Sequence, residues 1–183
     1  MAMPELEKYV DVQGAVIYDT VTLSAGALTK VAFFSNISGK SKAETNLTEN
    51  EQIPYETFIT KSVVLIHEGA PKLDDIAAVK FNSAFYQYIN NIPIPRFPLP
   101  TDIIMGGSQI RPVPLNMDGT ANDFRGYVGS GVIANVWKLP KTLVHVIKKK
   151  DTIRWEMEFK PGTTISTDIT LKLILFGYTE AGF

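Results

Sequence analysis

The chain has no cysteine among its 183 residues. That absence excludes disulfides, thiolate metal sites and cysteine nucleophiles together, and it fits a reducing compartment. Histidine is nearly as scarce. His67 and His145 are the only two. They lie in separate apolar stretches with no carboxylate at ligand spacing, so each reads as a structural residue of a strand. Neither sign of charge dominates. Eighteen Lys and Arg face nineteen Asp and Glu, for a net charge of -1, which gives no general attraction to nucleic acid or anionic lipid. The single basic run, Lys148-Lys149-Lys150, reads as a solvated turn. No apolar run approaches the roughly 20 residues of a membrane-crossing helix. The opening MAMPELEKYV lacks the basic-then-apolar order of a secretory signal, so none is expected. Asn36 and Asn46 each open an Asn-x-Ser/Thr triplet, which without such a signal reads as chance. Also missing are a Gly-rich phosphate loop, a Gly-x-Ser-x-Gly elbow and a His-Glu-x-x-His pair.

What the chain has in quantity is alternation. In residues 152–160, TIRWEMEFK, the apolar Ile153, Trp155, Met157 and Phe159 take one side, and Arg154, Glu156, Glu158 and Lys160 the other. Side chains of a strand point alternately to opposite faces, so this is a half-buried strand with an apolar inner row and a charged outer row. Residues 142–147 (TLVHVI) and 168–178 (DITLKLILFGY) flank it across short turns, and antiparallel pairing of the three is expected. Residues 15–23 and 28–34 read as a hairpin about Ser24-Ala25-Gly26. Residues 55–68 form another long β-branched strand. Residues 127–137 read as a strand interrupted by glycine.

The remaining segments are arms, loops and one helix. Residues 1–14 read as an N-terminal arm. Residues 35–54 form a long polar loop without periodicity, which in a compact domain tends to be a working part or a mobile one. Residues 73–90 hold the only helix candidate. Its first half has helical spacing with Asp74 and Asp75 at the positive end of the dipole; its aromatic second half, FYQYI, fits helix or strand. Residues 92–100 (IPIPRFPLP) have proline at four positions and therefore cannot be a central strand. They read as a stiff extended segment on a surface or edge. Residues 102–105 read as extended. Some eight to ten strands with turn signals between them imply an all-β sandwich or barrel of one domain.

Candidate chemistry is thin. Glu156 and Glu158 share a face, as paired acid–base carboxylates do, but Arg154 and Lys160 flank them, the pattern of a solvated strand face. Asp118 and Asp123 in DGTAND lack the spacing of a calcium loop and read as a turn. The residues thus nominate no catalytic group, no metal ligand and no cofactor, and the chain reads as a non-enzyme.

Four stretches carry a resemblance. They are the early pair VIYDTVTLSAGALTKVAFFS, the loop and strand GKSKAETNLTENEQIPYETFIT, the segment KLPKTLVHVIKKKDTIRWEMEF, and the terminal ITLKLILFGY. In the second, Thr45-Asn46 is followed by Pro54, Tyr55 and Phe58 at the mouth of a long strand. Together the four resemble the jelly-roll capsid (coat) proteins of tailless icosahedral, often membrane-containing bacteriophages. Many such coats fuse two jelly rolls, whereas this chain has room for one. The resemblance implies a jelly-roll β-sandwich of two antiparallel sheets with about eight main strands, one short helix, an arm at 1–14 and a single domain at 15–183. It implies a structural virion protein, made in the host cytoplasm, whose partners are copies of itself and other virion proteins. Contact with an internal viral membrane is open to it; a specific nucleic acid is not expected. The competing reading is a non-catalytic carbohydrate- or receptor-binding sandwich, for which Trp137 and Trp155 are the stacking candidates, although Trp155 belongs to the apolar row.

That row makes Trp155 the expected centre of the core. Trp155→Ala should cost about 3–5 kcal/mol, a large share of a domain's stability. An unchanged melting temperature would place the core elsewhere.

Overall fold

The computed structural model describes residues 12–69, 71–94, 98–105, 111–113, 125–127, 137–138 and 144–180. In chain order the first strands are β1 (Val12–Leu23), β2 (Gly26–Ala27), β3 (Lys30–Phe33) and β4 (Thr57–Glu68). Helix α1 (Leu73–Phe81) leads into β5 (Ser83–Ile89), β6 (Ile92–Pro93) and β7 (Leu99–Pro100), and a single helical turn, α2 (Thr101–Ile104), follows. Then come β8 (Arg111–Val113), β9 (Arg125–Tyr127), β10 (Trp137–Lys138), β11 (Val146–Lys148), β12 (Ile153–Phe159), β13 (Thr164–Ile165) and β14 (Ile169–Glu180). β1 thus begins inside the segment read as an arm; residues 1–11 lie outside the described residues, as does most of the expected strand at 127–137.

Two antiparallel sheets carry the fold. The first runs β1-β14-β4, with β10 and β11 both paired to the far edge of β4. The second runs β3-β12-β5, with β6 and β7 both paired to the far edge of β5. The apolar rows of both sheets face a common core, so the chain is an all-β sandwich. Trp155 is fully buried there, edge-on to Phe85 at 6.1 Å between ring centroids, and Phe33, its cross-strand partner, lies 5.9 Å from Phe85. Ile17, Phe58, Val63, Leu171, Leu173 and Leu175 close the core from the first sheet.

The expected hairpins do not form. β1 pairs with β14 and β3 with β12, while β11 pairs with β4 and β12 with β3 and β5. The short turns at 24–29 and 149–152 cross from one sheet to the other. Turn length alone cannot separate the two outcomes, and burial decides between them. β3 is four residues long, whereas β14 matches β1 over twelve consecutive pairs, from Val12↔Glu180 to Leu23↔Ile169.

A local hairpin does form between β5 and β6. Asn90 and Asn91 both have positive φ, 52° and 62°, the backbone of the tight turn that suits the twist of paired strands. The aromatic half of the ambiguous segment is therefore strand. Helical spacing ends at Phe81, and from Ser83 the burial alternates, with Phe85, Gln87 and Ile89 inward. Ser83 stitches the junction, donating to the Val79 carbonyl at 2.5 Å and sitting 2.7 Å from the Thr101 hydroxyl. Residues 101–104 are helical and not extended as expected. Thr101, Ile104 and Met105 share one buried face at helical spacing, which an extended chain would split between two faces. The prolines Pro93 and Pro100 sit in β6 and β7 on the edge of β5, where a missing N–H does no harm. Pro95 lies outside the described residues.

The ladder between β14 and β4 slips at Phe176/Gly177. At Gly177 the strands come so close that a Cβ would lie 2.1 Å from the Ile59 carbonyl oxygen and 2.8 Å from the Phe58 ring. Gly177→Ala should therefore cost about 3 kcal/mol. Gly14→Ala, where nothing lies within 4 Å, should stay within about 0.5 kcal/mol. Equal denaturant midpoints for the two variants would contradict the close approach.

Candidate functional site

β1 has β14 on one side, and its other edge would present unpaired peptide groups, a template for strand addition. The polar loop covers it. The Asn46 amide works as a strand surrogate, with Oδ1 accepting from the Tyr18 N–H at 2.9 Å and Nδ2 donating to the Val16 carbonyl at 2.7 Å. The Tyr55 hydroxyl donates to the same carbonyl at 3.0 Å, and the Thr45 hydroxyl to the Tyr18 carbonyl at 3.2 Å. Deeper in, Asp19 is completely buried and accepts from the Phe34 N–H at 2.7 Å and from Lys40 Nζ at 2.8 Å. Leu47 and Ile53 anchor the loop in the core. Its far end reaches β12, where the Ile153 N–H donates to the Glu51 carbonyl. The loop is thus a working part, as its length suggests, and its work is to seal an edge. Thr45, Asn46 and Tyr55 stand out in the sequence as a pattern; their contact with β1 could not be read without the partner strand.

The outer row of β12 differs from expectation. Glu158 is exposed, but Glu156 is only 6% exposed. Its Oε2 pairs with Lys30 Nζ at 2.5 Å, and its Oε1 lies 2.9 Å from Arg154 Nε. Arg154 also reaches Glu51 at 3.1 Å and stacks over the Tyr88 ring at 5.0 Å. The row is solvated at one end only, because neighbouring strands supply long side chains that fold over its middle. The hydrogen bond that Lys30 donates to Glu156 raises the Lys30 pKa. The Tyr88 phenol is also raised, first by burial and then by the Glu156 charge. Glu156 and Glu158 are therefore no acid–base pair held free for a substrate.

The other candidates disperse. Both ring nitrogens of His67, and Nε2 of His145, are buried without a hydrogen-bond partner. Burial lowers both pKa values, favouring the neutral rings. Among the described residues no three His, Cys, Asp or Glu side chains gather at metal-binding distance. Asp118 and Asp123 lie outside the described residues, as does the Trp137 side chain. Trp155, being fully buried, cannot stack on a sugar. Asp75 caps no helix end for a ligand. It accepts hydrogen bonds from the backbone and hydroxyl of both Ser166 and Thr167, at 2.7 to 3.0 Å, and so ties α1 to the turn before β14. Burial by itself would raise its pKa; the four hydrogen bonds outweigh it and hold the carboxyl below the usual range.

The two outer faces of the sandwich contrast in chemistry. That of the second sheet is ionic and aromatic, with Lys30, Arg154, Glu156 and Glu158 beside Tyr86 and Tyr88. That of the first sheet carries an apolar stripe of Val16, Val64, Ile66, Ile174 and Phe176, none of which belongs to the core. Ile66 and Tyr178 on this face are 37% and 39% exposed.

Compared with known protein families, curated proteins and solved structures, the chain matches none.

Removing the Asn46 amide should release the covered edge. Asn46→Ala leaves the Tyr18 N–H without its acceptor and should cost about 1–3 kcal/mol. Amide exchange at Tyr18 and proteolysis within residues 35–54 should both accelerate. Exchange at Tyr18 as slow as in the parent would show that the loop does not protect this edge.

Proposed function

We propose that the chain is a structural virion protein, a jelly-roll coat subunit that assembles with its own copies into an icosahedral shell. The order of strands carries this reading. Counting β6 with β7 and β10 with β11, eight main strands stand as 1-8-3-6 in one sheet and 2-7-4-5 in the other. Two interleaved Greek keys of that order are the plan of a jelly roll, a fold used by viral capsids and also by lectins and cupins. A fold shared so widely supports an architecture before a role. The role rests on the resemblance of the four sequence stretches, and on where the structure spends its polar groups. From the motif, Thr45, Asn46 and Tyr55 seal β1, and the Glu156 carboxylate is paired with Lys30 and Arg154. This leaves work for surfaces and not for a reacting centre, so the chain is read as non-catalytic. Its partners are further copies and other virion proteins, with an internal viral membrane within reach of such a shell, and its place is the virion.

One observation favours a second reading. Tyr86 and Tyr88 lie side by side on the outer face of β5, ring centroids 6.4 Å apart, beside Arg154. Half-buried tyrosines next to an ionic row can stack on a sugar, so a carbohydrate-binding sandwich would use these rings in place of Trp155.

The test is to purify particles, identify the chain in them by mass spectrometry and image the lattice by electron microscopy. A coat subunit should be present in many copies per particle. A chain absent from particles, whose binding to one glycan class is lost in Tyr86→Ala, would transfer the conclusion to the binding module.

A further inference from the structure

We propose that the outer face of the first sheet is where two copies of this chain meet, across a two-fold axis that crosses the middle of β4. The inference deepens the coat reading by naming a subunit contact, and it rests on that reading only for what the pair goes on to build.

The face is apolar where an antiparallel sandwich is usually polar. Burial alternates along β4, with Val63 and Leu65 inward and Val64 and Ile66 outward. On β14 the inward residues are Leu173 and Leu175, which leaves Ile174 and Phe176 outward. The registers join these into rows. Ile174 stands opposite Val64 on one side and Tyr18 on the other, and Phe176 stands opposite Ser62 and Val16. A contiguous apolar surface of this kind marks an interaction site. The edge of β1 beside it is already occupied by Asn46 and Thr45, so a second chain cannot add a strand there. What remains is face-to-face packing, the arrangement of two aligned sheets.

The charges that frame the stripe select the occupant. Lys61 stands on one side of the stripe, where the ladder of β4 with β14 slips, its ammonium 5.6 Å from the centre of the Tyr178 ring. Glu68 stands on the other side, half exposed and 3.8 Å from Lys172. A two-fold axis in the plane of the face, crossing β4 between Val64 and Leu65, runs the second β4 antiparallel over the first. It brings Lys61 of each copy towards Glu68 of the other, with the outward Val64 and Ile66 of the two copies facing each other in between. A two-fold contact requires a patch complementary to itself. An apolar centre with opposite charges on its two sides meets that requirement.

Sedimentation velocity on the purified chain tests this, with melting temperatures as the check on folding. The parent should form pairs. Ile66→Glu should raise the dissociation constant about 100-fold. Lys61→Glu, at a half-buried position, and Glu68→Lys, at an exposed one, should each raise it about 10-fold. The double variant Lys61→Glu with Glu68→Lys re-forms both pairs with the signs exchanged and should return to within about 3-fold of the parent. A parent that stays monomeric at the highest soluble concentration would overturn the inference, as would pairs indifferent to Ile66→Glu or a double variant weaker than both singles. If the chain occurs in particles while its pairing ignores these substitutions, this inference falls and the coat reading stands. If the pairing behaves as described and no particle contains the chain, the reverse holds.

Discussion

The pairing of the first long strand with the last is the constraint on which the rest of the structure depends. β1 and β14 lie side by side in unbroken register from Val12↔Glu180 to Leu23↔Ile169. Once these two are joined, β4 is left the far side of β14 and β3 is left the sheet opposite. The chain then has to cross between the sheets repeatedly, from β4 to β5, from β11 to β12 and from β12 to β14. Asp75 reinforces the same joint from outside the ladder, because its four hydrogen bonds fix the turn from which β14 departs. The close approach at Gly177 is a further consequence, since β14 is held from both sides at the point where its ladder with β4 slips.

The sequence shows strands well and their partners poorly. The inner row of β12 is legible because alternation is a property of one strand: Ile153, Trp155, Met157 and Phe159 are all buried as their spacing requires. The fate of Glu156 on the other row is not legible. Its burial is made by Lys30 on β3 and Tyr88 on β5, residues that no local pattern connects to it. The same limit explains the missing hairpins. A short turn is compatible with pairing or with crossing, and the choice is made by strands far away in the chain. The helix-to-strand change between Phe81 and Ser83 hides for a different reason, because a row of aromatics satisfies either periodicity until tertiary burial selects one. The candidate site follows the same division. Thr45, Asn46 and Tyr55 are visible as an unusual cluster, but an edge-sealing role exists only in the company of β1.

The sandwich keeps its polar investments at its edges and on one face. The loop at residues 35–54 spends Lys40, Thr45 and Asn46 on β1, and the ionic row of β12 spends its charges on Lys30 and Glu51 as well as on itself. The stripe on the first sheet is the described surface least served by either device. Whatever the molecule recognises, recognition by added strands is closed at β1.

The junction of β1 with β14 also sets a schedule. Thr22 and Thr170, whose hydroxyls touch at 3.2 Å, are separated by 148 positions in the chain. At a synthesis rate of about 5–20 residues per second, β1 waits on the ribosome for roughly seven to thirty seconds before its neighbour exists. During that interval the loop is the earlier companion available to it, since Asn46 emerges soon after Tyr18. A sheet assembled from such distant parts folds slowly, and a nascent chain that shields its first strand early is less open to its neighbours on the same message. The covering of one edge therefore has a second value: it protects the polypeptide while it is still incomplete, before any surface of the finished molecule is present to act.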